Sequence, residues 1–489
     1  MAIENKKSIQ LNMFLNMLRG LLGAIFPLIT FPYVTRALGV DGIGMFNFAN
    51  SVVSYFVLIA GLGINTYAIR EGASLREDRE KLERFFAEIF TISVISSVIS
   101  YVLLFLAVAI IPQLHNYRAL ILMLSCQIAF KTIGVEWLYT IYEEYAYITV
   151  RTIICQFLSL ILIVLFVRKS TDVVMYAVAT VMATVGANLF NFIHAKRYCR
   201  ISLTKIVNFK KHLGPVFILF ATAATVTIYV NSDSTILGLI CSDHEVGIYS
   251  VSVKIYTLLK TVLSSAIVVS IPRMSKYASE GRANDFAKLG SKIYKTFITF
   301  IFPSIFGIIV LRKPIVLFLS GSDYITATSS LIILCIALFF CLGAGFWSQA
   351  VMIPLNMENK VFFITGTSAI LNIGLNIILI PLWKENAAAF TTVISEGIVF
   401  AYCWYQIRGK VDMKGSLPVF LKAFLGSVPM IIIAYLVKTY FINIFAILVL
   451  TIFSCIIEYG VIEFLLKNEI VVEYTTSILK SINRNFKVK

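Results

Sequence analysis

The sequence predicts an all-α integral membrane protein of about fourteen transmembrane helices, and three observations predict it. The first is composition. Of 489 residues, 59% are hydrophobic and 14% charged, with a mean hydropathy of +0.87. A soluble domain carries roughly 25% charged residues, and a long chain that splits into domains still needs a polar skin around each. The second is spacing. The apolar residues come in runs of the length, about 20 residues, that crosses a hydrocarbon core while bonding every backbone group inside its own helix. The third is the uneven placement of Lys and Arg between those runs.

Taken in order, the runs fall at 12–35, 43–66, 86–111, 118–140, 147–167, 173–194, 214–240, 247–270, 293–311, 327–352, 361–382, 387–407, 417–437 and 441–466. An even number puts both termini on one side. Pro27 and Pro32 are expected to interrupt the first helix, and Gly61, Gly63, Gly366 and Gly374 to allow close helix contacts. The first run follows a polar stretch from Met1 to Gln10 and lacks an A-x-A site, so it reads as a helix and not a cleavable signal.

The chain holds 42 Lys+Arg against 26 Asp+Glu, with a pI near 9.4. In a soluble protein that balance would suggest nucleic acid. With the N-terminus inside, however, 29 of the 42 fall in inner loops and tails, eight in outer loops and five within helices. Cytoplasmic segments collect Lys and Arg, so both termini are expected in the cytoplasm and no nucleic-acid partner is needed. The inner stretches 196–213 and 271–292 and the tail 467–489 are basic and mildly amphipathic, as segments lying on an anionic inner leaflet would be.

The outer loops are short, the longest near 312–326, and leave no room for a soluble catalytic domain. There is no G-x-x-x-x-G-K-[ST] loop and no H-E-x-x-H pair among the four histidines. The eight cysteines show no C-x-x-C spacing and read as small buried hydrophobes. A transporter with no cofactor and no bound metal is the expectation, with H⁺ or Na⁺ as the candidate coupling ion.

An internal repeat groups the helices. Leu38-Gly39 matches Leu237-Gly238, and Gly44-Met45-Phe46 matches Gly247-Ile248-Tyr249 after a four-residue length difference. Six helices separate the copies, which implies parallel repeats. The expected organisation is an N-lobe at 1–195 (helices 1–6), a basic cytoplasmic connector at 196–213, a C-lobe at 214–408 (helices 7–12), helices 13 and 14 at 409–466, and the basic tail at 467–489.

The stretch FPLITFPYVTRALGVDGIGMFNFANSVVSYFVLIAGLGINTYAIRE, Phe26 to Glu71, resembles the opening of bacterial oligosaccharide-lipid flippases. These are the O-antigen and capsule-repeat transporters of the polysaccharide transporter family, within the multidrug/oligosaccharidyl-lipid/polysaccharide exporter superfamily. Asp233 to Ser250, with its L-G and E-V-G-I-Y-S elements, resembles that family's seventh-to-eighth helix signature. The resemblance implies two six-helix lobes around a central cavity in the bacterial cytoplasmic membrane. It also implies the substrate, a polyprenyl-diphosphate-linked oligosaccharide turned from the inner to the outer leaflet by alternating access, with polysaccharide polymerase or assembly proteins as neighbours.

A charge inside a membrane helix is costly unless it meets water or a partner, so each marks a candidate. Lys254 continues a polar row from Ser250 and could offset the charge of a diphosphate; Lys260, about 120° around the same helix by helical geometry, is a second candidate, and an ion pair with Asp233 or Glu396 is the structural alternative. Arg19 could grip a diphosphate with its two-pronged guanidinium or extend to the inner surface. Lys131 and Glu136, five residues apart, line a wall or pair with each other. Asp233, in the run Asn231-Ser232-Asp233-Ser234, faces a cavity, and Arg36 near the outer end of helix 1 helps close the outer mouth or extends to the surface. Glu396 has no charged neighbour in sequence; a buried carboxyl can bind and release a proton near neutrality. With Asp233 and Glu136 it forms the ion-coupling set. Asn50 and Asn188, with Asn47 and Asn191, either bond sugar hydroxyls or join helices to one another. Arg70 and Glu71 match the family's opening and read as inner-surface residues.

Two other classes stay open. A proton- or Na⁺-coupled drug/cation antiporter of the related extrusion family would favour an acidic cavity, whereas this chain offers more cations than carboxylates. A membrane enzyme would show a long outer loop or clustered His, Asp and Glu, and neither is present.

Overall fold

The computed structural model describes residues 9–476; Lys6, Lys7 and the tail from residue 477 onward lie outside them. Among the described residues the chain forms helices and no strand. In chain order these are α1 (Ile9–Gly61), α2 (Ile64–Ala73), α3 (Arg79–Ile110), α4 (Arg118–Gly134), α5 (Glu136–Ile141), α6 (Tyr145–Phe166), α7 (Val173–Val181), α8 (Ala187–Ala195), α9 (Phe209–Ile240), α10 (Asp243–Ser279), α11 (Ala283–Leu319), α12 (Ala327–Gly345), α13 (Glu358–Gln406), α14 (Ser416–Ser427), α15 (Met430–Tyr440) and α16 (Ile444–Leu465).

Eleven helical stretches among the described residues are long and apolar enough to cross a membrane. Two of them each contain two of the runs, because α1 turns at Gly39 (φ 71°) and α13 turns at Lys384 (φ 51°). The pair α4–α5, broken at Val135, supplies one more. All fourteen runs are therefore helical. Pro27 and Pro32 lie inside the first arm of α1 without ending it; the break falls at Gly39, whose missing Cβ permits the left-handed backbone. Helix starts in the connecting segments carry their own caps: Asp78 accepts from the Lys81 amide at 3.1 Å, and Asn443 from the Phe445 amide at 2.9 Å.

Two inner stretches differ from expectation. Residues 271–292 are not a separate surface element but the adjoining ends of α10 and α11, each 37 residues long. In the connector, 200–208 is non-helical. Its chain is tied to α3 instead, through Thr204 N–H to Thr91 Oγ1 at 3.0 Å and Asn208 N–H to Glu88 Oε2 at 3.2 Å.

The chain divides into two compact units, Met1–Ser250 and Val251–Lys489. In the first, α1 packs on α3, α4, α6 and α9. Serines replace bulk where helices meet: Ser96 Oγ donates to the Ile59 carbonyl and Ser100 Oγ to that of Phe56, both at 2.6 Å. An aromatic core of Tyr67, Phe85, Phe86, Trp137 and Tyr139 fills the space between α2, α3 and α5. In the second unit α12 packs on α13, and α11 packs on α12, α14 and α16. Outward faces are apolar: Val98, Val102 and Phe105 on α3, and Phe445, Phe453 and Ile456 on α16, are about half exposed or more. Water would penalise such surfaces and lipid would not. The chain is a multi-pass membrane protein.

Candidate functional site

Glu136 is the first residue after the α4–α5 break, where Val135 adopts φ 35°. Its Oε1 accepts from Arg19 Nη1 at 2.7 Å, so α1 and not Lys131 supplies its partner. Lys131 and Glu136 lie on opposite sides of the Val135 break, so five residues of sequence separation do not bring them together along one helix. Lys131 is exposed, and its Nζ lies 3.3 Å from where a Cβ on Gly61 would stand. A second arginine enters here, Arg151. Near the start of the run 147–167, it lies inside α6 and is 6% exposed. Its Nη1 donates to the Ala187 carbonyl at 3.1 Å, and the guanidinium lies 5.7 Å and 5.6 Å from the ring centres of Tyr139 and Tyr147. Its Nη2 is 3.9 Å from the same Glu136 oxygen. Two arginines thus meet one carboxylate inside the first unit, with Lys131 within electrostatic reach of it, an arrangement suited to an anion.

Asp233 is 9% exposed and accepts from Tyr249 Oη at 2.7 Å. Two residues on, Thr235 Oγ1 donates to Ser51 Oγ at 2.8 Å and meets Tyr55 Oη at 3.0 Å, joining α9 to α1. Asn50 accepts weakly from Gln127 at 3.4 Å, and Asn47 bonds its own helix. Arg36 is exposed and donates to the Pro32 carbonyl at 2.6 Å.

The repeated glycines lie beside this seam. A Cβ on Gly44 would stand 1.7 Å from the Asp243 carbonyl oxygen, and one on Gly247 would stand 2.1 Å from that of Val40. The two copies of the repeat therefore pack backbone to backbone. Gly366 and Gly374, expected at close contacts, have nothing within 4 Å.

Asn188 and Asn191 form a clasp. Asn191 Nδ2 donates to the Gly134 carbonyl at 2.7 Å, Tyr139 Oη donates to the Asn191 carbonyl at 2.6 Å, and both asparagines are buried. They hold the α4–α5 break against α8. Arg70 and Glu71 pair with each other at 3.2 Å on the surface.

In the second unit, Glu396 is 7% exposed and not isolated: Lys260 lies within electrostatic reach of it. Lys260 also hydrogen-bonds Cys341, and its Nζ is 5.9 Å from the Tyr256 ring centre. Lys254 is half-buried on the same helix. One turn from Glu396 is a fully buried ladder with no counterpart in the sequence reading. Asn376 Nδ2 donates to Asn372 Oδ1 at 3.1 Å, and Thr391 Oγ1 to Asn376 Oδ1 at 2.6 Å, tying together the two arms of α13. An apolar cavity of about 350 Å³, lined by Val262, Phe297, Phe300 and Tyr474 among others, contains none of the predicted site residues.

One further cluster was legible only as separate residues. His212, 1% exposed, bonds Tyr67 Oη through Nδ1 and Glu88 Oε2 through Nε2, each at 2.8 Å. It pins the start of α9 to α2 and α3. Nearby, burial pushes the Cys199 thiol up to about 12.

Residues 10–278 match the model of a family described as "Polysaccharide biosynthesis protein". Escherichia coli (strain K12) has a relative named "Putative O-antigen transporter", 22% identical over 388 residues, which span 78% of this chain and 93% of the relative. Among solved structures, "Lipid II flippase MurJ, inward closed conformation" superposes with a TM-score of 0.77 at 18% identity, over 94% of this chain and 99% of that one. The fold of fourteen helices is thus shared along nearly the whole length of both proteins.

Proposed function

This chain belongs to the polysaccharide biosynthesis protein family, and on that premise we propose that it turns a polyprenyl-diphosphate-linked oligosaccharide from the inner to the outer leaflet of a bacterial cytoplasmic membrane. The observation that carries the reading is the Arg19–Glu136–Arg151 cluster with Lys131 nearby. Excess positive charge in an apolar unit needs an anion to be useful, and the diphosphate is the anionic part of such a lipid. The relatives' own names, "Putative O-antigen transporter" and "Lipid II flippase MurJ", support the reading. Translocation proceeds by alternating access, with both termini in the cytoplasm. Asp233 and Glu396 are the carboxyls through which an H⁺ or Na⁺ gradient would act; their burial, at 9% and 7% exposure, supports that role.

The test is deletion of the gene in its host. The expected result is loss of surface glycan with accumulation of lipid-linked oligosaccharide on the cytoplasmic face. Undiminished glycan, or accumulation on the outer face, would reject the reading. Glu396→Gln is expected to flatten the pH dependence of transport; unchanged transport across that range would remove Glu396 from coupling.

A further inference from the structure

Two arginines share one carboxylate in the first unit, and their surroundings differ. Arg19 is reachable, with 36% of its side chain exposed, and Glu136 is 42% exposed, whereas Arg151 shows only 7%. Arg151 is also under-satisfied. One guanidinium nitrogen bonds the Ala187 carbonyl, Nε has no partner, and Nη2 stands 3.9 Å from Glu136 Oε1. A buried cation with idle donors gains when a carboxylate comes to bonding distance. The same Oε1 sits at 2.7 Å from Arg19. A side-chain movement of roughly 1 Å would exchange one partner for the other, given bonds of about 2.8 Å in such pairs. The backbone under Glu136 need not move, because Asn191 holds the Gly134 carbonyl just before the break.

We propose that Glu136 is a displaceable counter-ion: it neutralises Arg19 in the absence of substrate and passes to Arg151 when a phosphate-bearing anion takes Arg19. This rests on the anionic-substrate reading above and deepens it. Arg151 is then a positioning residue that never touches the ligand. It receives the carboxylate that the ligand displaces, so that no charge is left unpaired in the apolar unit. Arg19 and Arg151 repel each other across the carboxylate, and Lys131 also acts on Glu136. The group therefore carries three positive charges against one negative, and an anion of charge about two completes it.

The test is equilibrium binding to the full chain in lipid nanodiscs, using inorganic pyrophosphate and a polyprenyl diphosphate as separate probes. Glu136→Gln should bind either probe roughly tenfold more tightly, since Arg19 no longer needs to be released from a charge-assisted bond. Arg151→Met should bind roughly tenfold more weakly by the same reasoning, because the displaced carboxylate has no acceptor. The double variant should bind like Glu136→Gln alone, since removing the carboxylate removes the need for an acceptor. Arg151→Lys, which keeps the charge in α6, guards against loss of folding and should fall between wild type and Arg151→Met. Equal weakening by Arg151→Met with and without Glu136, or weaker binding by Glu136→Gln, would overturn the exchange. Tight binding of both probes points to the phosphates as the recognised chemistry, and binding of the polyprenyl probe alone would overturn recognition through Arg19. If the four variants show this pattern but gene deletion leaves surface glycan intact, the exchange stands and the oligosaccharide substrate falls.

Discussion

Replacing Gly44 by Ala introduces a single methyl group at the glycine where an added Cβ would come closest to another backbone among the described residues. The new carbon would stand 1.7 Å from the Asp243 carbonyl oxygen, 2.6 Å from its carbonyl carbon and 3.0 Å from its Cα. All three are backbone atoms, so no rotamer change relieves the overlap. Ordinary contact begins near 3.4 Å, and α1 and α10 must part by more than 1 Å. Overpacking of this kind costs about 1–3 kcal/mol and sometimes more. Ala is favoured over Gly in a helix by about 1 kcal/mol, which leaves a net loss of about 1 kcal/mol in the middle of that range and about 2 kcal/mol at its upper end. Gly366→Ala is the internal control, since nothing lies within 4 Å of that position and only the helix term applies. Thermal unfolding in detergent should therefore place Gly44→Ala several degrees below wild type and Gly366→Ala at or above it. Gly247→Ala, 2.1 Å from the Val40 carbonyl oxygen, should resemble Gly44→Ala. Equal melting of Gly44→Ala and Gly366→Ala would refute the packing of the two repeat copies against each other.

Other substitutions test the remaining contacts. Asn191→Ala strips the Gly134 carbonyl of its donor and should cost about 1–3 kcal/mol, the penalty for a buried unsatisfied group, measured as a lower melting temperature. His212→Ala leaves Tyr67 and Glu88 short of a partner, and should both lower the melting temperature and speed proteolysis of the 200–208 segment. Cys199 is fully buried with its thiol raised to about 12, so the unfavoured thiolate form should keep it unlabelled by maleimide at pH 8 in the folded protein and release it on denaturation.

The helices were legible because crossing hydrocarbon demands long unbroken apolar runs, and nothing else in a chain produces fourteen of them. The repeated Leu-Gly and Gly-x-aromatic elements were legible as a pattern. Their cause was not: Gly44 and Gly247 each meet the other copy's backbone about 200 residues away, and no local signal encodes that approach. Charge pairs followed the same rule. Glu136 was matched to Lys131 by nearness in sequence, while its partner Arg19 is 117 residues distant. Arg151 stands near the start of the run 147–167 and nothing local marks it as buried; the fold brings the ring centres of Tyr139 and Tyr147 to 5.7 Å and 5.6 Å from its guanidinium. Asn372 and Asn376 give little signal in the sequence because two amides dilute an apolar run only slightly, yet four-residue spacing places them on one face, where they bond each other.

The most direct test of the whole account is translocation by the purified chain in proteoliposomes loaded on one face with a fluorescent polyprenyl-diphosphate oligosaccharide, with dithionite reporting the probe that remains accessible outside. Wild-type protein is expected to move the probe between leaflets well above the protein-free rate, and Arg19→Gln to move it more slowly at equal protein content. A wild-type rate equal to that of empty liposomes, with and without imposed H⁺ or Na⁺ gradients, would contradict this expectation.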